Sequence, residues 1–126
     1  MKYLIIFASL ISVNACANSE NCQDLTTQFE MTECVIKKLN KLEDKLNEKI
    51  VYLSKIDPEN KNLSASQKLW EKYSEEHCAS ATNIYLGGSI YNYAFTLCKI
   101  RQVSTRIETL EIDYADTINI ITKGSP

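Results

Sequence analysis

The chain has 126 residues, 44% of them hydrophobic and 24% charged, with five cysteines, three glycines and two prolines. That balance belongs to one small globular domain and excludes a disordered or low-complexity chain, and so few glycines and prolines argue against a many-stranded sandwich or barrel. Fourteen basic against sixteen acidic residues, a formal net charge of −2, argue against a dedicated nucleic-acid binder, and a lone histidine excludes a His-rich metal site.

The chain opens with the pattern of an export signal. Lys2 precedes an apolar run from Leu4 to Val13 that is too short to persist as a membrane span. Ala15-Cys16-Ala17 is an A-x-A site, so residues 1–17 read as a signal peptide with cleavage after Ala17. The rival reading takes Val13-Asn14-Ala15-Cys16 as a lipobox with a lipid anchor on Cys16; Asn14 fits that box poorly. Both readings predict a periplasmic or secreted product with no transmembrane segment after signal removal, and both take Cys16 out of the disulfide count. Cleavage after Ala17 leaves 13 basic and 16 acidic residues, a net charge of −3.

A first helix is predicted from about Thr27 to Ser54. Thr27 and Glu30 form a capping box, and Val35, Leu39, Leu42, Leu46, Ile50 and Leu53 recur at helical spacing. Asp57-Pro58 and Asn60-Lys61-Asn62 break the pattern. A second helix is expected from about Ser64 to Tyr85, with Leu63, Gln67, Trp70, Tyr73 or Ser74, His77 and Ala81 on one face. Gly87-Gly88 is expected to end it. Ser89 is a candidate cap for the third helix, whose stripe is Ile90, Ala94, Leu97, Ile100, Val103, Ile107, Leu110 and Tyr114. Residues 117–122 are β-prone without a partner strand, and three outcomes stay open: an extended helix, a short edge or a mobile tail. Gly124-Ser125-Pro126 is expected to fray. The fold class is therefore all-α: a small, antiparallel bundle of about three long helices, over residues 18–116, with 117–126 as a C-terminal tail.

Cys22, Cys34, Cys78 and Cys98 remain, an even number that suits two disulfides in an oxidising compartment. Three pairings are open. Cys78 and Cys98 would lie roughly 30 Å apart on one straight helix, whereas a disulfide needs Cα atoms within about 7 Å. Gly87-Gly88, almost midway, supplies the reversal that brings them together. The same reasoning makes the chain before Cys34 fold back onto Cys22. We expect Cys22–Cys34 and Cys78–Cys98, each loop contributing about 3 kcal/mol. No C-x-x-C spacing for zinc or redox chemistry occurs, and no cofactor or metal is expected.

Together the residues resemble a known family. Leu63, Ser66-Gln67, Trp70, Tyr73 and Cys78 are similar to the L-x-x-A-Q-x-x-W-x-x-Y-R-x-x-x-C signature of the LprI-like lysozyme-inhibitor N-terminal domain family. The similarity continues through Gly87-Gly88-Ser89, Cys98, Arg106 and Leu110, and upstream through Cys22, Glu30-Met31, Cys34 and Leu46-Asn47. It covers about Cys22 to Leu110. Ser74 stands where the family usually has arginine, and Ser66 where it usually has alanine. The resemblance implies a helical fold and, for some members, inhibition of lysozyme.

Several residues invite a catalytic reading that simpler physics displaces. Consecutive helical residues point about 100° apart, so His77 and Cys78 form no dyad. Glu71, Glu75 and Glu76 suit a solvated face paired with Lys68 and Lys72 better than glycoside chemistry. Lys38, Lys41, Lys45 and Lys49 form a stripe interrupted by Glu43, Asp44 and Glu48, an ordinary solvated face. Gln67, Trp70, Tyr73 and Arg106 read as a structural motif, with Trp70 in the core and Arg106 paired to an acidic residue of a neighbouring helix. The turn is different. Tyr85, Tyr91, Tyr93 and Phe95 surround Gly87-Gly88, and tyrosines at a stapled turn are suited to hold a protein partner; the plainer reading is that they cover the end of the bundle. The leading expectation is an exported, non-enzymatic binding protein whose partner is lysozyme, acting through Tyr85, Gly87, Gly88, Tyr91 and Tyr93. The alternative is an envelope structural or assembly protein with no lysozyme contact. A cell-wall enzyme finds little support, because no nucleophile–base pair is visible.

Overall fold

The computed structural model describes residues 21–124. The signal segment, the A-x-A site, Cys16, Ser125 and Pro126 lie outside the described residues. A 3-10 turn at Cys22–Asp24 leads into α1 (Gln28–Ile56), α2 (Lys61–Ala81), a second 3-10 turn at Asn83–Tyr85, α3 (Tyr91–Asp113) and α4 (Ala115–Lys123).

Local chemistry accounts for the helix ends. The Glu30 backbone N–H donates to Thr27 Oγ1 at 3.1 Å, and the Thr27 N–H donates to Glu30 Oε2 at 3.2 Å, completing the capping box. The Asp57 N–H closes α1 on the Leu53 carbonyl, and Pro58 follows, as prolines do after helix ends. Asn60 then caps α2, its Oδ1 accepting from the Leu63 N–H at 3.2 Å.

Cross-helix bonds fix the directions. Gln67–Arg106, Ser74–Lys99 and Cys78–Cys98 pair α2 with α3 in opposite senses. Ser89–Gln28 and Lys49–Glu111 set α1 and α3 side by side in the same sense, because both partners advance together along the chain. The bundle is thus up-down-up. Helix α3 is its spine: α1 and α2 both pack on it, and touch each other little. Leu46 and Leu53 from α1, Leu63 from α2, and Val103, Ile107 and Leu110 from α3 form the apolar core.

The bundle is all-α and stapled as the sequence predicts, with four corrections. There are four helices among the described residues rather than three, because 115–123 coil into α4. Tyr114 and Ile118 pack against the core, so packing overrides the β-propensity of the isoleucines and threonines there. Helix α2 starts earlier, at Lys61, and ends at Ala81 instead of reaching Gly87. Its terminus is closed by Thr82, whose N–H and hydroxyl both donate to the Cys78 carbonyl. Ser89 does not cap α3; its hydroxyl donates to Gln28 Oε1 at 3.3 Å and ties the turn to the start of α1. On α2 the buried choice is Ser74, fully enclosed, while Tyr73 is 57% exposed and stacks on His77 at 5.5 Å. Neither Tyr73 nor His77 belongs to the core.

Candidate functional site

Both expected disulfides form: Cys22–Cys34 and Cys78–Cys98, each with Cα atoms 5.6 Å apart. The second closes a loop of unusual composition. No charged residue and no histidine occurs between Cys78 and Cys98, in a chain that is 24% charged.

The loop is built as a series of tight turns. The Tyr85, Leu86, Gly88 and Tyr91 N–H groups donate in turn to the carbonyls of Thr82, Asn83, Tyr85 and Gly88 at 2.9–3.2 Å. Gly87 sits at φ +81°, a left-handed conformation that strains any residue with a Cβ. At Gly88 space is tight: a Cβ there would meet the Tyr85 carbonyl oxygen at 3.2 Å, so the turn would have to give by a few tenths of an ångström. Beneath the loop, Thr82 is buried.

This scaffold exposes apolar side chains. Ile84 is 85% exposed, Leu86 67% and Tyr85 44%. Of the other tyrosines near the turn, Tyr91 is half-buried and packs on Phe95 at 5.8 Å. Tyr93, one step further into α3, lines a small cavity with Cys22, Val35 and Leu97, on the side of the first staple. The turn therefore presents Tyr85 outward and draws Tyr91 and Tyr93 partly inward. Ile84 and Leu86 were not foreseen. Their signal was the run Ile84-Tyr85-Leu86 directly before Gly87-Gly88: a triplet inside a tight turn has no face of a regular element by which to reach the core.

The four motif residues are gathered elsewhere, midway along α2 and α3. Gln67 is buried; its Oε1 accepts from Arg106 Nε at 3.1 Å, and its Nε2 donates to Glu71 Oε1 at 3.2 Å. The Arg106 guanidinium lies 5.8 Å from the centre of the half-buried Trp70 ring. Arg106 thus binds an amide and a ring rather than the acidic partner expected. Ser74 Oγ accepts from Lys99 Nζ at 3.0 Å, and Lys99 also pairs with Glu75 at 3.3 Å. The position where the resemblance implies arginine is accordingly served by a cation from α3. Glu71 and Glu75 turn to Gln67 and Lys99 instead of to the lysines of their own helix.

Among the described residues Glu30 is the one carboxyl whose pKa is clearly shifted. The Thr27 hydroxyl, then the Thr26 hydroxyl and the Thr27 N–H, hold it below the usual carboxylate range. It belongs to the helix cap, not to a reaction centre. Among the described residues no group of three or more His, Cys, Asp or Glu side chains is placed to hold a metal ion. No helix of the described residues is long and apolar enough to cross a membrane.

The family model described as lysozyme inhibitor LprI matches residues 12–110. No match was found among curated proteins or among solved structures. The matched span takes in both staples, the Gln67–Trp70–Arg106 cluster and the glycine turn, and the chain belongs to the lysozyme inhibitor LprI family.

Proposed function

From that membership we propose that the chain is an exported, non-enzymatic protein that inhibits a lysozyme by inserting the Gly87-Gly88 turn into the enzyme cleft. The observation that carries the reading is the exposed triplet Ile84-Tyr85-Leu86 on a stapled loop. An apolar cluster left in water at the end of a small protein marks an interaction surface. The disulfide and the consecutive turns hold the loop in one shape, which lowers the entropy lost on binding. A loop without charges also enters a cleft with no ion to desolvate. Tyr85 and Tyr91 supply rings with polar tips, the side chains most often central to such contacts. Tyr93 supports the loop from the side of the first staple. The working domain starts after the signal and takes in α4, whose Ile118 packs against the core; it is released after Ala17 or anchored by lipid at Cys16, in the periplasm or outside the cell, where disulfides persist.

Titration of the purified protein into a lysozyme wall-lysis assay tests the proposal. Dose-dependent loss of lysis is expected, weakened about 10-fold or more by Tyr85→Ala or Leu86→Ala. Because the loop is uncharged, inhibition should change little between low and high salt. No inhibition at any dose sinks the reading and leaves an envelope assembly role. Inhibition that survives both substitutions but collapses in salt moves the contact to the charged helix faces.

A further inference from the structure

Because α1 and α2 both lean on α3 and touch each other little, a groove of about 240 Å³ opens between them. We infer that this groove is a binding site for a single neutral saccharide ring, separate from the turn and independent of lysozyme inhibition. Its floor is apolar where Leu46 and Val103 are buried, and Trp70 forms part of one wall. Around them stand acceptors and donors: Glu43 and Asn47 on α1, Gln67 and Glu71 on α2, and Lys99 on α3.

The charges select the ligand class. Lys99 lines the groove and the Arg106 guanidinium lies over the Trp70 ring, so a cationic ligand meets cations already in place. Glu43 and Glu71 repel an anion. A neutral ring edged with hydroxyls uses both kinds of group, since carboxylates accept, an ammonium donates and amides do both. Its C–H surface matches Trp70 and the apolar floor, and the volume suits one ring rather than a larger ligand. Several of the polar groups are fixed beforehand. Gln67 is held by Arg106 and Glu71, and Lys99 by Ser74 and Glu75, so they need little ordering when the ligand enters.

Trp70 is the only tryptophan, so intrinsic fluorescence reports on the groove directly. The whole protein, without lysozyme, is titrated with methyl glucoside, N-acetylglucosamine, spermidine and acetate. A saturable change with a sugar in the millimolar range is expected, weakened about fivefold by Asn47→Ala or Glu43→Gln. Both substitutions lie at exposed helix positions, and circular dichroism confirms their fold. Tyr85→Ala should leave the sugar response intact, which separates this site from the inhibitory turn. No saturable response to either sugar overturns the inference, as does saturation by spermidine or acetate alone. Equal sugar binding by the parent and both groove variants overturns it too.

Discussion

Where α1 turns into α2, Leu53, Leu63 and Leu110 are each 1% exposed and belong to one apolar cluster with Leu46, Val103 and Ile107. At the opposite end of the bundle that cluster is absent. Cys78 and Cys98 are buried there as a disulfide, Ser74 and Thr82 are buried polar neighbours along α2, and the large apolar residues Ile84 and Leu86 face water. One end is held chiefly by burial; the other, where Val35 is the fully buried aliphatic side chain, is held chiefly by covalent bonds. On the proposed function the difference has a use: apolar side chains left outward for a partner cannot also fill a core, so their end needs another source of order. A disulfide supplies it by restricting the unfolded chain, without any burial of the loop itself.

Leucine truncations at the two ends should separate most widely. Leu53→Ala removes a fully buried side chain and leaves a cavity, a loss of about 2–5 kcal/mol in chemical denaturation. Leu86→Ala removes the same atoms from an exposed position and should change stability by no more than about 0.5 kcal/mol. Comparable losses at both positions would mean that the turn is packed and that the contrast between the ends is wrong.

Removing the second staple, as Cys78→Ala with Cys98→Ala, should cost about 3 kcal/mol, near the lower part of that range. The location of the damage discriminates further. Hydrogen exchange should quicken at the Tyr85, Leu86 and Gly88 amides well before it quickens between Val103 and Leu110. Uniform quickening over both ends would show that the staple supports the whole bundle rather than the loop.

Features that depend on neighbours in sequence were legible, and features that depend on distant partners were not. The Thr27–Glu30 box is complete within four residues. The two staples followed from cysteine spacing and one glycine turn, because a covalent bond sets a strict distance. The choice between Tyr73 and Ser74 was different. Both positions suit the inner face of α2, and the one that is buried meets Lys99, 25 positions away, through its hydroxyl. Likewise nothing near Arg106 announces Gln67 as its partner, and residues 117–122 coil only because Tyr114 and Ile118 find the core. At the candidate site, the turn and its tyrosines could be read directly. Which rings face out could not, since Tyr93 turns to a cavity shared with Cys22 and Val35, both distant in sequence.

The smallest expected effect lies at the start of α1, next to the stapled turn. Hydrogen bonds from Thr27 and Thr26 lower the pKa of Glu30 in the folded chain, and the group is fully exposed. A carboxyl that titrates lower when folded than when unfolded adds stability above the ordinary carboxylate range. That contribution fades as the pH falls through the lowered folded value. The parent should therefore melt slightly higher than Glu30→Ala at neutral pH, and the gap should shrink as acid protonates the carboxylate. Thr27→Ala removes the hydroxyl that both caps the helix and binds the carboxylate, so its deficit at neutral pH should be larger, about 1 kcal/mol. A gap between parent and Glu30→Ala that widens on acidification would reverse the sign of the linkage and remove the carboxylate from the cap. The start of α1 would then depend on the Ser89–Gln28 tie and the Cys22–Cys34 bond, extending covalent support across the whole of that end.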